Sequence, residues 1–144
     1  MKKRVFFYVG LLLFAGAVAG CDHPSSAKAG ESLEERAEAF GDAWYNWRYA
    51  DVVKLVTPES VNRVKMVASN VTQEDLDALN DYDDDADVSI DGIQMEDDTV
   101  AIVRFDVDEY MSPKHFGEPP VLVENLQQEV RFVRRAGKWL ADLI

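Results

Sequence analysis

VSIDGIQMEDDTVAIVRFDVD, residues 88–108, decides the fold class, because the apolar residues in it recur with a period of two. Val88 and Ile90 alternate with polar neighbours. Ile93 and Met95 do the same, but with the parity switched at Gly92. An isolated glycine at a parity switch predicts a bulge that bends the strand. Glu96-Asp97-Asp98 reads as a turn. Beyond it Ala101, Val103, Phe105 and Val107 form one face of a long strand, with Arg104, Asp106 and Asp108 on the other. Two strands joined by so short a turn must be antiparallel.

The same period continues downstream. Ser112 to Pro120 carries three prolines and a glycine and reads as a loop. Leu126, Val130 and Phe132 mark a third strand. Ala136-Gly137 turns it into a last one, in which Trp139, Ala141 and Leu143 alternate.

Upstream the period is helical. Ser32-Leu33-Glu34-Glu35 forms a capping box, and Leu33, Ala37, Phe40, Trp44 and Trp47 fall on one face. The spacing predicts an amphipathic helix of about 17 residues with Glu34, Glu38, Asp42 and Arg48 in water. Asp51 is placed to cap a short second piece carrying Val52, Val53, Leu55 and Val56. Thr57-Pro58 restarts a helix, threonine as N-cap and proline at the first helical position, with Val61, Val64 and Ala68 on its buried side. Thr72 caps a last short helix through Leu76 and Leu79, and Asn80 to Asp87 is an acidic loop.

Helices first and an antiparallel meander second give an α+β class, in which the helices must cover one side of the sheet. Phe40 to Ser60 (FGDAWYNWRYADVVKLVTPES) and the closing hairpin Glu129 to Leu143 (EVRFVRRAGKWLADL) resemble the nuclear-transport-factor-2-like superfamily. The first is similar to its long helix, short helix and restart, and the second to its terminal hairpin with a tryptophan. The resemblance covers about residues 32–144 and implies N-terminal helices packed in a cone on a curved antiparallel meander, a cystatin-like arrangement. It does not imply an activity, since one fold hosts many functions. Small lipoproteins with an uncharacterised domain of this kind are the members it is most similar to.

The N-terminal residues read differently. Lys2, Lys3 and Arg4 precede an apolar run from Val5 to Ala19, which is shorter than the ~20 residues of a membrane span. Its length and flanks are those of a secretory signal. Ala19 and Gly20 then precede Cys21, the sole cysteine of the sequence. This stretch resembles the lipobox of bacterial lipoproteins, which implies a signal peptide over 1–20 and acylation (palmitate among the chains) at Cys21. Two or more acyl chains give stable anchorage without a span. Asp22 resembles the residue that retains enterobacterial lipoproteins at the inner membrane, facing the periplasm. Residues 21–31 read as a lipidated, flexible tether, and His23 within it as bland. Residues 32–144 then form one α+β domain.

Composition narrows the function classes. The net charge is −12, and more negative still without Lys2, Lys3 and Arg4. Such a surface argues against nucleic acid, whose phosphates need Lys and Arg. With Cys21 committed to lipid no intrachain disulfide can form, so stability rests on a packed core, and 47% apolar residues can supply one.

Candidate sites are few. The run Asp81 to Asp87 invites a calcium reading, but an EF-hand loop starting at Asp81 puts Ala86 where glycine is needed and Gly92 where a bidentate glutamate belongs. A start at Asp83 fails at Val88 and Gln94. No metal and no cofactor is expected. Superfamily resemblance implies enzymes among its members, isomerases and dehydratases that place Asp, Tyr or His in the cone. Asp106, Asp108, Tyr110 and His115 are the comparable groups here, though Asp106 and Asp108 share the parity of Arg104, opposite the apolar face. Trp44 and Trp47 belong to the apolar stripe, while Tyr45 and Tyr49 are expected to point elsewhere. Trp47, Tyr49, Arg104 and Tyr110 are the candidates for lining a small-ligand pocket, and no catalytic residue is assigned. The expectation is a lipid-anchored domain of the cell envelope that binds a protein partner or a small apolar ligand, with a homodimer through the open sheet face as a further partner. An isomerase-like enzyme using a carboxylate or tyrosine in the cone is the alternative.

Overall fold

A computed structural model describes residues 31–114 and 117–144. The expected leader over 1–20, the expected lipidation residue Cys21, the expected tether as far as residue 30, and His115 lie outside the described residues. The described chain is α+β: four helices precede a four-stranded, curved antiparallel sheet.

Helix α1 spans Leu33–Tyr45. It starts where the capping box is expected, with the Glu35 amide donating to Ser32 Oγ and the Ser32 amide to Glu35 Oε2. It ends earlier than the apolar spacing predicts, after 13 residues. The reason is a Schellman reversal built without glycine: Trp47 takes φ 59°, the Trp47 amide donates to Trp44 O, and the Arg48 amide reaches back to Ala43 O at 2.8 Å. A tryptophan in the left-handed region is strained by about 1–3 kcal/mol. Burial of its ring and a 2.9 Å bond from its Nε1 to Met111 O offset that cost. Trp47 therefore enters the core from the reversal and not from the helix face.

Asn46, the residue between helix and reversal, clasps the chain start of the sheet. Its Oδ1 accepts from the Ala86 amide at 2.8 Å. Helix α2, Tyr49–Val52, follows with Arg48 at its N-cap, so Asp51 lies inside its first turn and does not cap it. Leu55 to Thr57 then runs along the last strand: Ala141 N donates to Leu55 O, and Thr57 N to Ala141 O, both at 2.9 Å. Pro58 opens a 3-10 turn, Pro58–Ser60, that leads into α3, Val61–Ser69. The fully buried Thr57 hydroxyl does not cap backbone there. It bonds Ser60 Oγ at 2.7 Å, and Ser60 Oγ in turn accepts from the Leu143 amide. Helix α4, Gln73–Asp81, carries its own capping box between Thr72 and Asp75.

Strands β1 (Asp87–Asp97), β2 (Val100–Ser112), β3 (Val121–Arg135) and β4 (Lys138–Asp142) pair in sequence order, all antiparallel. The β1–β2 register breaks between Ile90 and Gly92, where the glycine parity switch predicts a bulge. Ala136 and Gly137, both at positive φ, make the β3–β4 turn. Ala101, Val103, Phe105 and Val107 are fully buried beneath α1. Ile93 and Met95 share their face but are 40% and 50% exposed, beyond the reach of the helix.

The core centres on Phe40, whose ring lies 5.7 Å from Phe132, 6.2 Å from Phe105 and 5.9 Å from Trp44. Beside it, Gly41 lets the helix backbone settle onto the sheet. A Cβ there would stand 2.8 Å from Val88 Cγ1 and 2.9 Å from Phe105 Cε1. Gly41→Ala gains about 1 kcal/mol of helix propensity and loses about 1–3 kcal/mol to overpacking. Denaturant unfolding of this variant is expected to show a net loss of stability; a gain would mean that the helix stands further from the sheet.

Candidate functional site

The reversal at Trp47 gathers aromatic side chains at the C-terminal end of α1. Tyr45 departs from expectation: it is 1% exposed and does not point away from the core. Its ring sits edge-on to Phe105 at 6.0 Å and to Tyr110 at 5.3 Å. Tyr49 is half-buried, and Trp44 meets it edge-on at 5.9 Å. Alternation alone would put Tyr110 on the outer face with Asp106 and Asp108. Glu109 adopts φ 57°, the strand kinks, and Tyr110 joins the inner cluster instead.

Burial pushes the Tyr45 and Tyr49 hydroxyls well above their ordinary value of 10.0, and the neighbouring Tyr110 adds to both shifts. Burial raises Tyr110 as well, against a smaller downward pull from its bond with Ser112. All three phenols are therefore proton donors at neutral pH and none is a base. Tyr45 Oη donates to Gln128 Oε1 at 2.7 Å.

The four pocket candidates do not converge on one cavity among the described residues. Trp47, Tyr49 and Tyr110 pack into or against the core, whereas Arg104 lies on the opposite, outer face of the sheet. There it bridges Asp91 at 3.5 Å and Glu129 at 3.1 Å, beside a shallow groove of about 160 Å³. Asp106 and Asp108 share that face, and Asn125 Nδ2 donates to both at 2.8 Å. The isomerase reading asks for a carboxyl group desolvated among the helices, and these two stand on the other side of the sheet. Among the described residues the one buried carboxylate is Asp75, engaged in its capping box. The acidic loop is partly neutralised by Arg48, which reaches Asp42 at 2.6 Å and Asp85 at 3.4 Å. Among the described residues no three His, Cys, Asp or Glu side chains converge to hold a metal ion.

An open site does exist at the edge of the sheet. Strand β4 pairs only with Arg131 to Arg135 of β3, so the earlier part of β3 has no strand on that side. A cleft of about 300 Å³ lies where β4 stops, lined by Trp44, Arg63, Gln128, Val130, Leu143 and Ile144 among others. Sequence reasoning missed Arg63 and Gln128. Gln128 had a readable signal, since it shares parity with Leu126, Val130 and Phe132 and is the polar member of an otherwise apolar row. Arg63 had none, because only the docking of α3 brings it beside β3.

The buried phenols set an alkaline limit. Their folded pKa values exceed the unfolded one, so their contribution is complete below about pH 10 and is lost as pH rises beyond it, when the unfolded chain sheds protons that the folded one keeps. Urea unfolding between about pH 9 and pH 11 is expected to show this decline. Tyr45→Phe should flatten it by up to one proton, and an unchanged slope would remove Tyr45 from the account.

Searches of this chain against protein-family models, curated proteins and solved structures return no match.

Proposed function

We propose that this protein is a bacterial envelope lipoprotein, held to a membrane through acyl chains on Cys21, whose domain binds a ligand or partner and does not catalyse a reaction. The leader with its basic head, apolar run and Ala19-Gly20-Cys21 ending supports the anchor. Residues 22–31 separate that cysteine from the Ser32 cap, enough chain to let the domain stand off the bilayer. In a Gram-negative envelope Asp22 favours the inner membrane, facing the periplasm. Helices on a curved antiparallel sheet are consistent with the nuclear-transport-factor-2-like cone.

The observation that carries the binding reading is the cleft at the β3 edge. It joins an aromatic wall (Trp44), a cation (Arg63) and an oriented amide (Gln128) to the Arg131–Asp142 pair and Glu129, so apolar surface and polar groups meet in one concavity, as in small-ligand sites. The isomerase alternative has no observation in its favour, because Asp106 and Asp108 face away from the helices.

The anchor is tested first. Wild-type protein expressed in a bacterium with labelled palmitate should incorporate the label and fractionate with membranes, whereas Cys21→Ser should lose the label. Retention of label by the variant would overturn the anchor. For the domain, purified wild type should show no turnover of enolisable ketone substrates; turnover abolished by Tyr110→Phe would favour the enzyme instead.

A further inference from the structure

Two polar groups of the β3-edge cleft, Arg63 and Gln128, are placed to receive a negative charge. Tyr45 is buried, and in the structure its hydroxyl donates to Gln128 Oε1 at 2.7 Å. That leaves Gln128 Nε2, with both hydrogens unclaimed by any described residue, on the cleft side. Arg63, also on the cleft, makes no ion pair or hydrogen bond with any described residue. The other charged residues that line the opening are paired: Asp142 with Arg131 at 2.6 Å, and Glu129 with Arg104 of the outer face at 3.1 Å. One free cation and one free amide donor thus remain, on a molecule whose overall charge is −12.

The remaining wall residues are the paired Glu129, Arg131 and Asp142 and an apolar set. Trp44 stacks on Phe40 at 5.9 Å and is only half-buried, with Val130, Leu143 and Ile144 nearby. We infer that the cleft binds a small monocarboxylate with a flat apolar body, its carboxylate held by Arg63 and Gln128 Nε2 and its ring laid against Trp44. Guanidinium and amide donors match the two oxygens of a carboxylate, and a charge-assisted pair is the stronger kind of hydrogen bond. The volume of about 300 Å³ suits a single-ring acid and no larger assembly. This assignment rests on the binding function proposed above and names the ligand class for it.

The test uses the full chain in phospholipid nanodiscs, labelled with 5-fluorotryptophan so that its three tryptophans report separately by fluorine NMR. The probe is benzoate, compared with benzamide, its neutral counterpart of the same shape. Benzoate should move the Trp44 resonance saturably and leave the buried Trp47 and Trp139 in place, while benzamide binds at least about tenfold more weakly. Arg63→Gln should lose about tenfold in benzoate affinity, as expected for one charge-assisted bond. Gln128→Glu should do the same while still offering Tyr45 an acceptor, and unchanged Trp47 and Trp139 signals certify the fold of both variants. An unmoved Trp44 signal, equal binding of benzamide, or full affinity in Arg63→Gln would each overturn the assignment. Acylation at Cys21 is read independently, so failure here leaves the anchor untouched and removes only the ligand class.

Discussion

The close seat of α1 on β2 is the constraint from which the rest of the molecule follows. Phe40 can touch Phe105 and Phe132 together only because Gly41, its neighbour, carries no Cβ to hold the helix off Val88 and Phe105. With the helix that low, its C-terminal end meets the beginning of β1, and Asn46 closes the junction through Ala86. A helix continuing past Tyr45 would leave the sheet behind. The Trp47 reversal instead folds the chain back over the same core, and the indole bond to Met111 O locks the far end of β2 to it.

This arrangement fills the space between the helices and the sheet. The aromatic side chains there are spent on packing: Trp47 on Met111, Tyr45 on Phe105 and Tyr110, Tyr49 on Trp44. The outer face is polar and self-satisfied, with Asp91, Arg104 and Glu129 in one row and Asp106, Asn125 and Asp108 in another. Exposed pairs of this kind add little stability, typically about 0–1 kcal/mol each, but they keep the sheet soluble. What stays open is the edge. A short β4 ends early against a long β3, and the helices roof the gap with Trp44 and Arg63.

The polar groups inside the fold divide into two kinds. Thr57, Ser60 and Asp75 are buried and satisfied, and their bonds tie helix starts to neighbouring backbone. Tyr45 is also buried, yet its hydroxyl reaches outward to an exposed side chain. A buried donor that orients an exposed amide stabilises nothing that a water molecule could not. It does leave the amide nitrogen of Gln128 free of Tyr45.

Most features that depend on residues a few positions apart were legible in the sequence, although Asp51 and Thr57 do not cap backbone as their positions suggest. The capping box at Ser32, the cap at Thr72, the proline at the first position of its segment, the strand alternation of Ala101 to Val107, the break at Gly92 and the Ala136-Gly137 turn belong here, because each is settled by bonds or sterics within one turn or one pleat. The helical stripe was extended too far, since a left-handed tryptophan has no local signature; only the Met111 carbonyl, far along the chain, makes it tolerable. Tyr110 escaped its parity for the same kind of reason, a positive φ at Glu109 maintained by packing. Tyr45 was read as pointing outward and Arg104 as a pocket neighbour of Tyr110, because periodicity gives faces and says nothing of what covers them. Tertiary structure alone decided the cleft. Its parts come from α1, α3, β3 and the chain after β4, and where β4 stops against β3 is a matter of long-range register, on which no window of local sequence has a hold.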